Sequence, residues 1–456
     1  GARDSWLGRL GNMFETDVLI LGAGIAGLSC RAGLKGNRDA LVLEAESEPG
    51  GLLRVHRRGD FTFDTTPHAV FFRNLRMRKV VKGLVSKGFH EFEKKNLIWQ
   101  RGRTVDYPYQ FHIAQLPDSI RRECLAELPN RTVGSLPEAS FEEWLLDQFG
   151  SGLYRHFFGP YNRKLYGVEP SELEAAPMVW TIPADNRAAI VSGAEPGGGP
   201  ETASVSCLYP RGEYGISELV RGMVAQGSSP MLLAERVVSI DPIQRLVTTE
   251  AGTHVRYRSL VTSLPVPAFV GLLEGAFDDM KTSAASLRAA AVTVVRIGAL
   301  GQQDALPAHW TYFPDPEIPF YRLTRQERIT PDMCPDGATA LLLECSGSEP
   351  PDPEYVLGLL QDMGVLENRA VEVYEHHKIT HAYVLFERGY RRAIDRIMAA
   401  TASLGIHCIG RYGEWRYANI EQCIASGFEV AKVLSQSAKG SAVVHGVGSH
   451  SDMEIV

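Results

Sequence analysis

Thr16-Asp17-Val18-Leu19-Ile20-Leu21-Gly22-Ala23-Gly24-Ile25-Ala26-Gly27 is the stretch that decides the fold. Its first half is an apolar run of the length of one buried strand. Leu28 to Leu34 then reads as a helix and Ala40-Leu41-Val42-Leu43 as a second strand. Glu44 ends that strand, about twenty residues past the glycines, where a dinucleotide fold keeps the acid that holds a ribose. Strand, glycines, helix, second strand and terminal acid in this order specify a Rossmann-type unit in an α/β protein.

Each residue type answers a physical need. Gly22 permits the tight turn out of the strand, Gly24 leaves the backbone bare where a pyrophosphate approaches, and Gly27 lets helix and strand pack closely. Ile25 and Ala26 lie at the helix start, whose N–H groups turn partial positive charge towards phosphate. The Glu44 carboxylate can accept hydrogen bonds from a ribose diol.

The next segment, Ala45-Glu46-Ser47-Glu48-Pro49-Gly50-Gly51-Leu52-Leu53-Arg54, resembles the one after the second strand in FAD proteins of the amine oxidase, protoporphyrinogen oxidase and UDP-galactopyranose mutase superfamily. The resemblance implies FAD as cofactor, with Ala45, Gly50, Gly51 and Leu52 beside it and the paired glycines at its pyrophosphate. Phe157-Phe158-Gly159-Pro160-Tyr161-Asn162-Arg163-Lys164-Leu165-Tyr166 resembles a segment of mutase-like proteins. Tyr209-Pro210-Arg211-Gly212-Glu213-Tyr214-Gly215 resembles the turn that re-enters the FAD-binding part. Arg236 to Ile240 reads as a strand, and the resemblance puts the Val238 backbone at the adenine. Gly405 to Gly427 matches the closing FAD motif. It implies Gly410 and Arg411 near the pyrophosphate and a helix from Asn419 and Ile420 whose N-terminus faces the flavin ring.

The same resemblance carries candidate catalytic residues. His68 matches a histidine that lies against the flavin, although Thr66 and Pro67 replace the usual two glycines before it. Arg322 matches one of two arginines that hold a sugar diphosphate in the mutases. Where its partner belongs, the chain reads Met178-Val179-Trp180-Thr181-Ile182-Pro183-Ala184-Asp185-Asn186, with no arginine before Arg187. Tyr383 matches a phosphate-binding tyrosine but lacks the proline that follows it. Trp415 stands where the mutases place another tyrosine, and Tyr417 keeps the next one. A bidentate arginine–phosphate contact is charge-assisted and about twice as strong as a neutral hydrogen bond. Losing one and placing Asp185 nearby weakens diphosphate binding. Trp180, Trp310, Trp415, Tyr321 and Tyr417 suggest an aromatic pocket, with ordinary core as the alternative for several of them.

Two readings from different classes stay open, with a non-catalytic FAD-binding protein as a third. In the first, an FAD-dependent oxidoreductase oxidises a C–H beside an alcohol or amine of a small polar, sugar-like or amino-sugar substrate. In the second, a non-redox isomerase uses reduced flavin N5 as nucleophile on a sugar nucleotide. The missing arginine favours the first. No independent NAD(P)H site is read.

Bulk properties fit a globular enzyme. The chain has 456 residues, a net charge of -7, 44% hydrophobic and 22% charged residues, so nothing suggests a nucleic-acid binder. No apolar run approaches the roughly 20 residues of a membrane helix, and no signal-peptide pattern precedes the first strand. Seven cysteines are scattered without a CxxC pair, which indicates neither a zinc site nor a disulfide framework. These features suit reduced thiols and a cytoplasmic protein with a small-molecule substrate; a homodimer is left open. The expected layout is a discontinuous FAD-binding domain (14–74, 205–265 and 386–436), a helical insertion capping the substrate (75–204), a mixed α+β substrate domain with its sheet over 266–385, and tails at 1–13 and 437–456. Gly193 to Ala203 reads as a loop and a candidate mobile lid.

Overall fold

The computed structural model describes residues 13–36, 39–72, 74–129, 139–178, 182, 187–199, 205–301, 305–366 and 370–437. The expected tails therefore lie almost wholly outside the described residues, as do Trp180, Asp185 and the end of the candidate lid.

The chain opens with β1 (Met13–Leu21), α1 (Ile25–Leu34) and β2 (Ala40–Leu43). The helix starts at Ile25, earlier than the sequence suggested, because Gly24 already caps it in extended backbone. A hairpin of β3 (Val55–Arg58) and β4 (Phe61–Asp64) follows, then α2 (Leu75–Lys82) and β5 (Phe89–Glu93). β6 (Asn96–Gln100) and β7 (Arg103–Asp106) form a hairpin. Its turn residues Arg101 and Gly102 both have positive φ, at 51° and 75°, which suits the twist of a tight hairpin. Next come α3 (Asp118–Ala126), α4 (Phe141–Leu153), α5 (Gly159–Tyr166), α6 (Arg187–Ser192), β8 (Ser206–Pro210) and α7 (Ser217–Gln226). Ser140 caps α4 in a reciprocal box with Glu143, as its position before Phe141 predicts.

After β9 (Met231–Leu232), β10 (Val237–Asp241) and β11 (Leu246–Thr249) comes one long strand, β12 (His254–Thr262). The chain continues through α8 (Val266–Gly271), α9 (Asp278–Ala285), β13 (Ala289–Ala299), β14 (Trp310–Tyr312), β15 (Arg322–Arg325), α10 (Gln326–Ile329) and β16 (Thr339–Ser346). It closes with α11 (Pro353–Asp362), β17 (Val371–Val384), α12 (Tyr390–Ser403), β18 (Ile406–Cys408), α13 (Gly410–Gly413) and α14 (Ile420–Ser437).

Two compact units result. The first holds 1–51, 220–285 and 392–456; the second holds 52–219 and 286–391. In the first, β1 pairs in parallel with β2 on one side and β12 on the other. β9 extends the sheet beyond β2, and β18 and the β10–β11 hairpin extend it beyond β12. Val18, Leu19, Ile20 and Leu21 are fully buried, and α1 packs against α14.

The second unit is built on a sheet of order β17-β13-β16-β15-β14-β6-β7. Strand alternation gives it two apolar faces. Leu341, Leu343 and Cys345 of β16 point into a core that α11 closes with Val356 and Leu360. Ala340 and Leu342 point the other way, where Phe61 and Phe63 of β4 cover them with Val292 and Val294 of β13. This packing explains why residues 52–74, expected with the FAD-binding part, fold with the second unit. β8 pairs with β5 there and takes 205–219 along, whereas 266–285 fold with the first unit. The stretch expected as a helical insertion also supplies β6 and β7 to the second sheet.

Candidate active site

The glycine-rich turn of the first unit forms an open cradle. Gly22 has a φ of 94° and donates its N–H to Leu43 O at 2.9 Å, which turns the chain out of β1. A Cβ on Gly27 would lie 2.0 Å from Gly22 O, so only glycine lets α1 approach the turn. A Cβ on Gly24 would meet no atom within 4 Å, and Gly24 caps α1 without a side-chain hydrogen bond. Gly50 pairs with Gly24 across a short bridge and donates to Ala23 O at 2.8 Å. Glu44 sits beside this space, its carboxylate accepting the N–H groups of Ala23 at 2.7 Å and Glu46 at 3.0 Å. Bare backbone at a helix start, open space over it and a carboxylate alongside fit the pyrophosphate and ribose of FAD.

The closing segment gathers several predicted residues in the same unit. Gly410 opens α13 with a φ of 75° and donates to Ser426 Oγ at 3.1 Å. The Arg411 guanidinium stacks 4.5 Å from the centre of the Tyr417 ring and reaches Ala418 O at 3.4 Å. Asn419 caps α14 reciprocally: Gln422 N–H donates to its Oδ1 at 2.9 Å, and its own N–H donates to Gln422 Oε1 at 3.0 Å. Ile420 is thus the first helical residue, as expected. Ile25 and Ala26 are buried in α1, and Ala45 is half-buried after β2. Val238 lies on β10, 46% exposed, beside a shift in strand register. Leu52 belongs to the second unit, packed against its Phe61–Phe63 core.

Three of the suggested pocket aromatics are core. Trp310 is 5% exposed, Tyr321 0% and Trp415 1%. Trp310 packs on Phe92 and His309. Trp415 keeps a positive φ of 49°. All seven cysteines are unpaired. Burial pushes the Cys423 thiol up, against a thiolate role.

Arg322 lies on the β4-covered face of the second sheet. It sits directly opposite Glu344 of β16, and alternation puts both on the side of Leu342. The pair is bidentate: Arg322 Nε donates to Glu344 Oε2 and Nη2 donates to Oε1 at 2.8 Å. Tyr321 Oη adds a third donor to that carboxylate at 3.2 Å. Burial works against the arginine charge, but Glu344 and neighbouring Tyr383 outweigh it and hold the guanidinium above its ordinary value. Tyr161 and Tyr383 pack on the same core face. Tyr161 stacks on Phe157 and meets Tyr312 edge-on at 5.7 Å, while Tyr383 meets Tyr166 edge-on at 6.0 Å. Burial pushes the Tyr161 and Tyr321 hydroxyls well up, so both stay neutral donors. Tyr161 and Tyr312 were not singled out from sequence. Glu344, one carboxylate in the apolar run Ala338 to Cys345, was the available signal.

His68 is half-buried in the turn after β4, with Thr66 Oγ1 3.4 Å from its Nε2. Arg187, the first arginine after the expected place of the missing partner, donates to Leu128 O and Pro129 O, each at 3.1 Å.

Fold and cradle define a flavoprotein of the dinucleotide-binding class. Residues 25–434 match the family of flavin containing amine oxidoreductases, and the chain belongs to that family. Its cofactor is FAD. Among solved structures it is similar to a reduced UDP-galactopyranose mutase, at 24% identity, with a TM-score of 0.84 and coverage of 93% of this chain and 94% of that one. A putative protoporphyrinogen oxidase from Exiguobacterium sp. 255-15 matches at 15% identity and a TM-score of 0.71, covering 92% and 99%. Putrescine oxidase bound to putrescine matches at 15% identity and a TM-score of 0.63, also covering 92% and 99%.

Proposed function

We propose that the chain is an FAD-dependent oxidoreductase acting on a C–H beside an alcohol or amine of a small polar, sugar-like or amino-sugar substrate. Bound FAD supplies a two-electron acceptor for that C–H bond. Gly24, Gly50, Gly51, Gly410 and Arg411 hold its pyrophosphate, Glu44 its ribose and Val238 its adenine. Asn419 and Ile420 present the α14 N-terminus to the flavin. His68, Arg322 and Tyr383 of the second unit are the proposed substrate-side residues; in the first unit Tyr417 stacks on Arg411, and Trp415, 1% exposed, is core.

The Arg322–Glu344 pair carries the reading. A guanidinium that already shares two hydrogen bonds with a carboxylate has little charge left for a dianionic diphosphate. What it still offers is a polar, nearly neutral surface edged by tyrosine hydroxyls, suited to hydroxyl or amine groups. The isomerase reading keeps one specific support, the retention of Arg322 and Tyr417 on a chain so similar in fold to a mutase. Calorimetric titration of FAD-loaded protein with UDP separates them. The oxidoreductase reading expects a Kd above about 1 mM, less than about 4 kcal/mol of binding. Micromolar UDP binding would favour the isomerase.

A further inference from the structure

A dense network of buried hydrogen bonds holds the segment of the second unit that carries His68. Asp64 ends β4 and is 1% exposed. Tyr209 of β8 donates its hydroxyl to Asp64 Oδ1 at 2.6 Å, and the N–H groups of His68 and Ile216 also face that carboxylate. Gln326 of α10 accepts the Asp64 N–H at 3.2 Å and donates to Thr62 O at 2.9 Å. Arg296 of β13, itself 1% exposed, donates to Asp64 O at 3.1 Å and Thr65 O at 3.2 Å. Thr65 in turn ties its N–H and hydroxyl to Arg54 O at 3.0 and 2.8 Å. Burying this much polar surface is costly unless every group is satisfied, and a satisfied network fixes one backbone path.

A second observation gives the network two states. The Tyr209 hydroxyl also lies 3.2 Å from Met333 Sδ, and it accepts the Ile216 N–H at 3.1 Å. It has one proton and two acceptors to choose between. With Asp64 ionised, Tyr209 donates to the carboxylate. With Asp64 protonated, the new O–H donates to Tyr209 Oη, and the tyrosine proton turns to the Met333 sulfur.

We propose that Asp64 is a positioning residue for the 65–68 turn, and that Asp64, Tyr209 and Met333 form a proton-linked switch that tightens this turn when Asp64 is ionised. The ionised carboxylate accepts the His68 N–H through a charge-assisted bond, and protonation weakens that hold. Burial raises the Asp64 carboxyl to about 7, with Tyr209 and Arg296 opposing, so the two states exchange near neutrality. The other titratable groups around the segment are His56 of β3, bonded to Thr65 Oγ1 at 3.1 Å, and His377 of β17, 5.1 Å from the His56 ring. Glu375 of β17 pairs with Arg296 at 3.1 Å and Arg58 at 2.5 Å, the Arg54 charge acts on His56, and His68 itself lies in the turn. The consequence for catalysis rests on the reading of His68 as a substrate-side residue; the switch does not.

Amide hydrogen exchange of the FAD-loaded protein tests it without any substrate, so its failure is separate from failure of the oxidoreductase reading. After correction for the intrinsic rate, the 65–70 peptide should be protected at least about tenfold more at pH about 8.5 than at about 5.5. Asp64→Asn should abolish that step and leave protection at the low-pH level. Tyr209→Phe, a milder change, should keep the step but move its midpoint upward, because one donor to the carboxylate is gone. A step that survives in Asp64→Asn, or a midpoint unmoved by Tyr209→Phe, would overturn the proposal, as would pH-independent protection in the wild type.

Discussion

Glu44 serves the cradle twice. Its carboxylate holds the N–H groups of Ala23 and Glu46, which shapes the loop, and it is the acceptor a ribose diol needs. Glu46 is exposed and pairs with Arg236 at 3.3 Å on the surface. Glu44→Ala is therefore expected to weaken FAD binding by roughly 1.5–3 kcal/mol, ten- to over a hundredfold in Kd, and Glu46→Ala to leave it within about twofold. Fluorescence titration of stripped protein with FAD measures both. Arg322 and Glu344 make the second residue-scale test. Glu344→Gln leaves the guanidinium without its counter-charge, so UDP affinity should rise at least about tenfold, some 1.4 kcal/mol. Unchanged UDP affinity would mean that Glu344 does not set the charge of this surface.

At the scale of elements, α1 and α14 meet through residues too small to replace. A Cβ on Gly427 would lie 2.3 Å from Ala26 O and 2.8 Å from Cys30 N. Both are backbone atoms and cannot swing aside, so Gly427→Ala must part the helices. A cost of about 1–3 kcal/mol is expected, seen as a lower Tm and faster FAD loss, because the same α1 carries the cradle. A wild-type Tm would contradict that packing. The βαβ start was legible in sequence because strand, glycines and Glu44 are contiguous. The segment after β4 was not: Asp64 ends that strand, yet Tyr209, Arg296 and Gln326 reach it from more than a hundred positions away. The unit boundary after Gly51 was missed for a related reason, since Phe61 and Phe63 choose their core by contacts with β13 and β16 rather than by local pattern. Arg322 was found through resemblance, with a salt bridge to a carboxylate such as Glu344 as its structural alternative, and strand register sets the two directly opposite each other.

Across the whole molecule, two half-buried histidines are expected to weaken the fold in acid. Burial, then Arg296, His377, Arg54 and Arg58, hold His56 down to about 3. Burial, then Lys95 and Arg328, hold His309 down to about 4. The unfolded chain takes up these protons near 6.5, while the folded chain refuses them until much lower pH. Stability from both groups is thus complete above about 6.5 and falls as pH drops towards 4. Asp64 has the opposite sign. For global unfolding its folded carboxyl, raised from 3.8 to about 7 by burial, contributes fully at low pH and less as pH rises through that range, whereas within the folded state the His68 N–H, which lowers it, makes the ionised form the one that holds the turn. Thermal melts of wild type and His309→Asn should diverge in slope between pH about 6.5 and 4, the variant losing less. Parallel curves would show that His309 is protonated freely in the folded protein.

The redox reading itself is tested by the flavin colour. FAD-loaded protein mixed without oxygen with a panel of amines, amino sugars and polyols should lose its yellow absorbance with at least one of them and regain it when air is admitted. If no member of the panel bleaches the flavin, while chemically reduced protein converts UDP-galactopyranose to its furanose form, the chain is an isomerase and the oxidoreductase assignment fails.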